Sequence, residues 1–330
     1  MLPRLLAALL VAALASVLSA AGIAVAEVRR GYLCRDVHKP GEVYVPCSAG
    51  LSIAVAALAG FGTAWLLGLT SLSRFLAASL SIAVAAVIGL LDDLKGLSPR
   101  TKILLGLAPA IPVIALHQYV PRPWIPVLGH ARMFIVYPLL VLAAYTVFCN
   151  GANMIDTHNG VLAWGATVVT ACATALAIGL GAPMQNAVTL AIALAILAPY
   201  TILNTYPARV FNGNAGSFAI GAVLATSAVT CRMEALYVLA NMVLFLNGLL
   251  YLASAGGFLQ KERVDRPTVV EPNGVLKPSC NPRAPITIVR LALATMGSAS
   301  EKKLVTAIIA TYAVNAAIAT ALITLLGYKP

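Results

Sequence analysis

Ten runs of apolar residues dominate this chain, near 4–27, 49–69, 72–91, 103–119, 133–149, 160–181, 184–203, 215–231, 235–256 and 304–327. A bilayer core of roughly 30 Å is crossed by about 20 apolar residues in a helix. Only 10% of the 330 residues are charged, against 60% hydrophobic, whereas a soluble domain carries about a quarter charged residues. So little polar surface cannot cover a water-facing globule. Gly and Ala recur within the runs, as close helix packing in lipid requires. The expected fold is an all-α polytopic membrane protein with about ten transmembrane helices. Residues 1–330 would form a single integral membrane domain.

The charges orient it. With the N-terminus outside, 16 of the 22 Lys and Arg residues fall in inside loops and 6 outside, a clear positive-inside bias. The first run imitates a signal peptide, with Arg4 before it and Ala24-Val25-Ala26 near its end. Cleavage there would place Arg29, Arg30, Arg35 and Lys39 outside and invert every later loop, so the run reads as a span. The net charge of +11 sits in short loops between spans. That argues for an anionic membrane face rather than nucleic acid as partner. Of the 11 acids only Glu234 falls outside. A topology signal needs only bases, so acids and bases gathered on one face suggest a site.

One inside loop is long, 257–303. Within it Thr268 to Leu276 reads as a β-hairpin around Asn273-Gly274. Ile286 to Met296, apolar around Arg290, is too short to span and is expected along the membrane surface. The six cysteines show no metal-ligand spacing. Cys34 and Cys47 share one loop but are expected to stay reduced, because that loop is expected to face the cytoplasm.

Four polar segments carry candidate chemistry. Asp92-Asp93 closes the third run, with Lys102 following. Adjacent carboxylates at a membrane boundary repel each other and oppose the helix dipole, so a nearby cation is expected. Asn150, Asn153 and Asp156 are spaced by three ahead of Asn159-Gly160, so a continuing helix would align their oxygens for a hard cation or a nucleoside. Arg209 to Ser217, with Phe211-Asn212-Gly213-Asn214, precedes a helix whose amides can meet an anion, although a capping turn looks the same. Lys261-Glu262-Arg263 supplies phosphate-type bases, or plain membrane anchoring. Together these suggest phosphoryl transfer at a membrane surface.

In these motifs the chain resembles the polyprenyl-phosphate N-acetylhexosamine-1-phosphate transferase family, closest to its eukaryotic and archaeal branch. The resemblance covers nearly the whole chain. It implies that Asp92, Asp93 and Lys102 are catalytic. It implies that Asn153 helps hold Mg2+, with Mn2+ as the alternative, and that Asn214 sits beside the metal; Asp156, one helical turn on from Asn153, is a further candidate ligand by its spacing. Asn159, Phe211, Lys261 and Arg263, together with Asp36 and Lys39 of the first inside loop, would bind substrate. Asn214 stands where the family has a metal-binding Asp, Lys261-Glu262 where it has Arg-His, and Cys47 where it has Glu. The implied reaction moves N-acetylglucosamine 1-phosphate from a UDP-sugar to a polyprenyl (dolichyl) phosphate and releases UMP. The membrane would be the cell membrane, or that of the endoplasmic reticulum in a eukaryote, with the site facing the cytoplasm. A homodimer is left open. Two other classes are weighed against this: an inactive homologue with a lipid-binding or scaffold role, favoured by Asn214, and a transporter. The transporter is disfavoured by the scarcity of charge within the spans and by the lack of paired broken helices.

The topology is testable directly. A cysteine appended after Pro330 should be labelled by an impermeant maleimide from outside intact cells, and Asn273→Cys should not. The reverse pattern would overturn the orientation.

Overall fold

The computed structural model describes residues 1–257 and 264–328; Lys261, Glu262, Arg263 and Lys329 lie outside the described residues. Helix α1 (Leu2–Arg30) leads into a ladder of β1 (Leu33–Arg35) and β2 (Tyr44–Pro46), followed by α2 (Ser52–Leu66) and α3 (Leu72–Lys95). Next come α4 (Pro99–Leu105), α5 (Ile111–Ala115) and the ladder β3 (Trp124–Ile125) with β4 (Gly129–His130). The long helices α6 (Tyr137–Ile155), α7 (Val161–Gly179), α8 (Met184–Asn204) and α9 (Gly213–Thr230) form the middle of the chain. Helices α10 (Glu234–Ala240) and α11 (Met242–Ser254) precede β5 (Thr268–Val270), β6 (Val275–Pro278), α12 (Ile288–Met296), β7 (Ala299–Ser300) and α13 (Glu301–Leu325).

Among the described residues seven helices are long and apolar enough to cross a bilayer: α1, α2 with its leading 3-10 turn, α3, α6, α7, α8 and α13. The pair α10 and α11, bent by 60°, makes an eighth if it is one span. Length and apolarity alone thus recover seven or eight of the ten expected spans among the described residues, and two runs account for the difference. The run at 103–119 is broken into α4, a 3-10 turn at Ala108–Ala110 and α5. Pro109 and Pro112 sit at these breaks and withhold amide donors. The run at 215–231 forms α9, 18 residues long, in which every residue from Ala215 to Thr230 is buried. Its first turn carries Gly213 and Asn214, which lowers its apolarity.

Helix α9 is the pillar of the bundle. It packs chiefly on α3 and α6 and also touches α2, α7, α8 and α10. In lipid, helices associate through close van der Waals packing of small residues rather than through a hydrophobic drive. Gly89 of α3 shows how close: a Cβ there would lie 2.1 Å from the Asn214 carbonyl oxygen. That approach brings the end of α3 onto the start of α9.

Helix direction then sorts the chain into two faces. The ends of α3, α6 and α8 meet the starts of α7 and α9 around one cavity. At the opposite ends, Arg74 of α3 donates to Asn186 of α8 at 2.8 Å and to the Thr230 carbonyl of α9 at 3.1 Å. The expected hairpin is present, with Thr268 opposite Pro278 and Val270 opposite Leu276, and β7 adds a third strand. Gly274, at its turn, comes near Pro40 of the β1–β2 loop. Helix α12 occupies the stretch expected to lie along the surface.

One expectation is overturned. Cys34 and Cys47 form a disulfide across the β1–β2 ladder, where Cys34 sits opposite Val45 and Leu33 opposite Pro46. Strand pairing brings the two residues within 5.2 Å Cα to Cα. Reasoning from compartment alone ignored that pairing.

Gly89→Ala should lower the thermal midpoint in detergent, by the equivalent of about 1–3 kcal/mol for overpacking. Gly62→Ala, whose added methyl would meet Phe75 at 3.5 Å, should be neutral or slightly stabilising, because Ala favours helix. Equal losses in both would refute the close α3–α9 approach.

Candidate active site

A cavity of about 450 Å³ opens where these helix ends converge, lined by residues that include Asp36, Asp92, Asp93, Asn153, Asp156, Asn159, Phe211 and Asn214. Eight of the residues singled out in the sequence therefore share one space. Lys39 stands behind its wall on Asp36, and Lys102 reaches it through Asp92. Lys261 and Arg263 lie outside the described residues.

The carboxylate pair is split by function. Asp93 Oδ1 accepts the backbone amide of Asn214 at 2.9 Å, and Oδ2 accepts that of Ala215 at 3.1 Å and the Ser48 hydroxyl at 3.1 Å. The first amides of a helix have no partner within it and carry its positive end. Asn212, at the N-cap of α9, makes no side-chain cap. Asp93 takes that role from the neighbouring helix. Gly213 fits between them with φ +62, and a Cβ there would meet Asp93 Oδ2 and Ser48 Oγ, each at 2.8 Å.

Asp92 is 4% exposed and turned elsewhere. Its Oδ1 accepts the Leu97 amide at 2.8 Å; its Oδ2 accepts Asn214 Nδ2 at 2.7 Å and pairs with Lys102. Asn214 in turn accepts the Asn153 amide through Oδ1. A chain Asn153–Asn214–Asp92–Lys102 thus runs along the cavity wall. An aspartate at 214 could not donate to Asp92, so the amide changes the wiring as well as the charge.

The sequence spacing of three is realised only in part. Helix α6 ends at Ile155 with Asp156 as its C-cap, and Asn153 and Asp156 both line the cavity. Asn150 does not: it donates to its own helix at Thr146 and faces a neighbouring pocket. Asp156 Oδ1 accepts Asn212 Nδ2 at 2.7 Å. Burial pushes the Asp156 carboxyl up to about 7; the Asn212 hydrogen bond opposes this and the Asp93 charge adds to it.

At the other wall the β1–β2 loop is locked. Asn159 donates to Asp36 Oδ2 at 3.0 Å, and Lys39 pairs with the same oxygen. Burial opposes ionisation of Asp36, but the Lys39 and Asn159 hydrogen bonds and the Lys39 charge outweigh it and hold this carboxyl below its ordinary range. Lys39 also lies 3.6 Å from Glu301 of α13 and 5.0 Å from the Tyr206 ring centroid. His38 stacks on His158 at 3.9 Å between centroids. Burial drives His38 down to about 4, with the Arg266 and Lys39 charges assisting against Asp36, so the ring is neutral at pH 7.

The donor set for a cation is all oxygen, which suits a hard divalent ion. Among the described residues, Asp156 keeps one carboxylate oxygen and Asn153 its amide oxygen without a protein partner, one helical turn apart. Mg2+ commonly takes one or two protein carboxylates, with phosphates and waters completing six, so the residues fit. Asn214 Oδ1 is turned to Asn153 instead. Asp36, His38 and Glu301 also bring ligand atoms within 4.8 Å of one another. There Lys39 already touches both carboxylates and supplies the positive charge.

Sequence reasoning missed His38, His158 and Asn212 as parts of the lining, and Ser48 and Glu301 as contacts behind it, on Asp93 and Lys39. Asn212 lay inside a quoted motif. Glu301 follows Ser300, whose side chain caps α13, and so read as an ordinary helix start.

A second pocket of about 270 Å³ adjoins the first, sharing Asn153 with it. It is lined mainly by apolar residues, with Ile103, Met154, Tyr251 and Leu252 beside Lys102.

Residues 75–232 match the profile of glycosyl transferase family 4. A relative from Sulfolobus acidocaldarius, named "Putative UDP-N-acetylglucosamine–dolichyl-phosphate N-acetylglucosaminephosphotransferase", is 30% identical over 62% of this chain and 64% of its own length. One of the same name from Saccharolobus solfataricus is 29% identical, over 58% and 61%. A phospho-N-acetylmuramoyl-pentapeptide-transferase from Dictyoglomus turgidum is 28% identical, over 55% and 59%. The chain thus spans about six tenths of the length of each of these relatives.

The Asp156 environment sets a pH dependence for the metal-free protein. The folded carboxyl binds its proton more tightly than the unfolded one, raised from 3.8 to about 7. The stability it contributes is therefore full below pH 3.8 and is lost as pH rises through 7. In a chelator, the thermal midpoint should fall across that window, and Asp156→Asn should flatten the fall. An unchanged profile in the variant would clear Asp156 of the role.

Proposed function

We propose that this chain, whose residues 75–232 match the profile of glycosyl transferase family 4, transfers a sugar 1-phosphate from a UDP-sugar to a polyprenyl phosphate at a membrane surface. The sugar is N-acetylglucosamine and the acceptor dolichyl phosphate, the substrates printed in the name of the archaeal relatives. The observation that carries the reading is the junction of a polar, acid-and-amide cavity with an apolar pocket at Asn153. A nucleotide-sugar suits the first. A prenyl chain suits the second, with its phosphate against Lys102.

In this reaction a phosphate oxygen of the lipid forms a bond to the β-phosphorus of the UDP-sugar. The bond from that phosphorus to the bridging oxygen breaks, and UMP leaves with the electron pair. A phosphate monoester has its second pKa near 6, so the attacking oxygen is largely ionised at pH 7. Positioning then matters more than proton removal. Lys102, steered by Asp92, holds the lipid phosphate. Asp93 fixes the start of α9, which places Phe211 and Asn214 at the nucleotide side. Asn159, Asp36 and Lys39 hold the wall against which the nucleoside rests. Lys261 and Arg263 would close on the pyrophosphate from the loop. A Mg2+ ion, or Mn2+, held at Asp156 and Asn153 with Asn214 beside them, would offset charge on the pyrophosphate and on departing UMP. The site faces the cytoplasm in the topology that the Lys and Arg bias supports.

The direct test is purified protein with Mg2+, dolichyl phosphate and a panel of UDP-sugars, scored for UMP release. Asp92→Asn and Lys102→Ala should each remove most turnover and leave a folded species. Asp93→Asn should also lower the thermal midpoint, because it weakens the cap of α9. Near-normal turnover in all three would remove the reaction from this cavity.

Asn214→Asp separates an active enzyme from an inactive homologue. With a charged ligand restored beside Asn153, the Mg2+ concentration for half-maximal activity should fall about tenfold, equivalent to roughly 1.4 kcal/mol. A flat titration would count against metal contact at 214. Wild-type silence rescued by Asp would favour the inactive reading.

A further inference from the structure

At the far ends of the same three helices that build the reaction face lies another cavity, of about 430 Å³, between the starts of α3 and α8 and the end of α9. Arg74, His117, Gln118, Gln185, Asn186 and Arg232 help to line it, and among the described residues no carboxylate does. Arg74 and Asp92 are 18 residues apart on α3, about 27 Å at 1.5 Å per residue. This space is therefore separate from the catalytic cavity and close to the opposite membrane surface.

Two cations line it, and among the described residues neither is ion-paired, although the Glu234 carboxyl lies near enough to Arg232 to feel its charge. Arg74 is held by neutral acceptors only: Gln118 Oε1 at 3.4 Å, Asn186 Oδ1 at 2.8 Å and the Thr230 carbonyl at 3.1 Å. A guanidinium has five N–H donors, so two remain for another acceptor. The Arg232 side chain makes no hydrogen bond or ion pair among the described residues. The one acid of this face, Glu234, accepts the Tyr137 hydroxyl instead.

The backbone supplies an independent sign. Among the described residues only three that are not glycine have positive φ, and two of them, His117 at 52° and Arg232 at 61°, line this cavity. Both follow helix ends of the type where glycine is usual. At the end of α9 the Met233 amide returns to the Ala228 carbonyl, and after α5 the Gln118 amide returns to that of Val113. Glycine would remove the strain at either position. The chain instead keeps a cationic and an imidazole side chain there, and Tyr328 donates its hydroxyl to the Arg232 carbonyl.

We propose that this cavity binds a phosphate group, presented at the level of the headgroups of the membrane leaflet opposite the reaction face. Arg74 and Arg232 would grip its oxygens in the forked geometry that suits phosphate. His117, Gln118 and Gln185 would add neutral polar contacts. The proposal needs only the membrane-spanning reading of the bundle and does not depend on the transferase activity.

The test follows the thermal midpoint of the full chain in a neutral, phosphate-free detergent at constant ionic strength. One arm titrates inorganic phosphate, the other short-chain phosphatidic acid in mixed micelles. Lys102→Ala is the reference protein, so that binding at the reaction face does not dominate. A saturable rise should appear in the reference, and adding Arg232→Gln should weaken its half-saturation concentration by about tenfold or more. A rise with phosphatidic acid alone assigns the site to a lipid headgroup; a rise with both assigns it to phosphate whatever its carrier. If Arg232→Gln does not purify folded, Arg232→Lys, which keeps the charge and loses the fork, should weaken half-saturation at least threefold. No rise with either probe, or unchanged half-saturation in the Arg232 variant that purifies, overturns the proposal.

Discussion

The capping of α9 by Asp93 is the contact on which the rest of this structure depends. A helix buried on every side leaves its first amides unpaired in a region of few water molecules, where an orphan donor is costly. The carboxylate that meets them comes from another helix, across the Gly89 contact where α3 touches α9 backbone to backbone. One interaction therefore satisfies the helix end, ties the two central helices and fixes the floor of the cavity. Its neighbour Asp92 takes no part in the cap and is turned aside toward Lys102 and Asn214.

The same economy governs the amides. Asn153, Asn212 and Asn214 each join two elements: α6 to α9 through Asn153, the turn before α9 to the cap of α6 through Asn212, and α9 to α3 through Asn214. Amides donate and accept at once, which carboxylates at neutral pH do not. Asn214 thereby links the metal-type oxygens of α6 to the lysine-paired carboxylate of α3. Across the cavity, the disulfide and the Asp36–Lys39–Asn159 contacts hold the β1–β2 loop as a second wall.

The site was more legible than the bundle around it. Asp92, Asp93, Asn153, Asp156, Asn159 and Asn214 stand out because polar residues at the edges of apolar runs have few structural uses in lipid, whereas Phe211 was singled out only by the family resemblance. Their convergence follows once the spans alternate in direction. The span count was less legible. Hydropathy registered 103–119 as one run although Pro109 and Pro112 divide it. It registered 215–231 as a run but could not show that α9 is wrapped in protein along its length.

The sequence by itself determined that the chain is a polytopic membrane protein, which edges of its spans are polar, and which of its faces gathers the charge. Those follow from local composition, because the bilayer forces each apolar run to satisfy its own backbone. Only the tertiary structure decided that Asp93 caps a neighbouring helix while Asp92 pairs with Lys102. The same holds for the Cys34–Cys47 bond and for the placing of Arg74 and Arg232 on one cavity. Each is set by helix packing distances or strand register between separate elements, which no local pattern encodes.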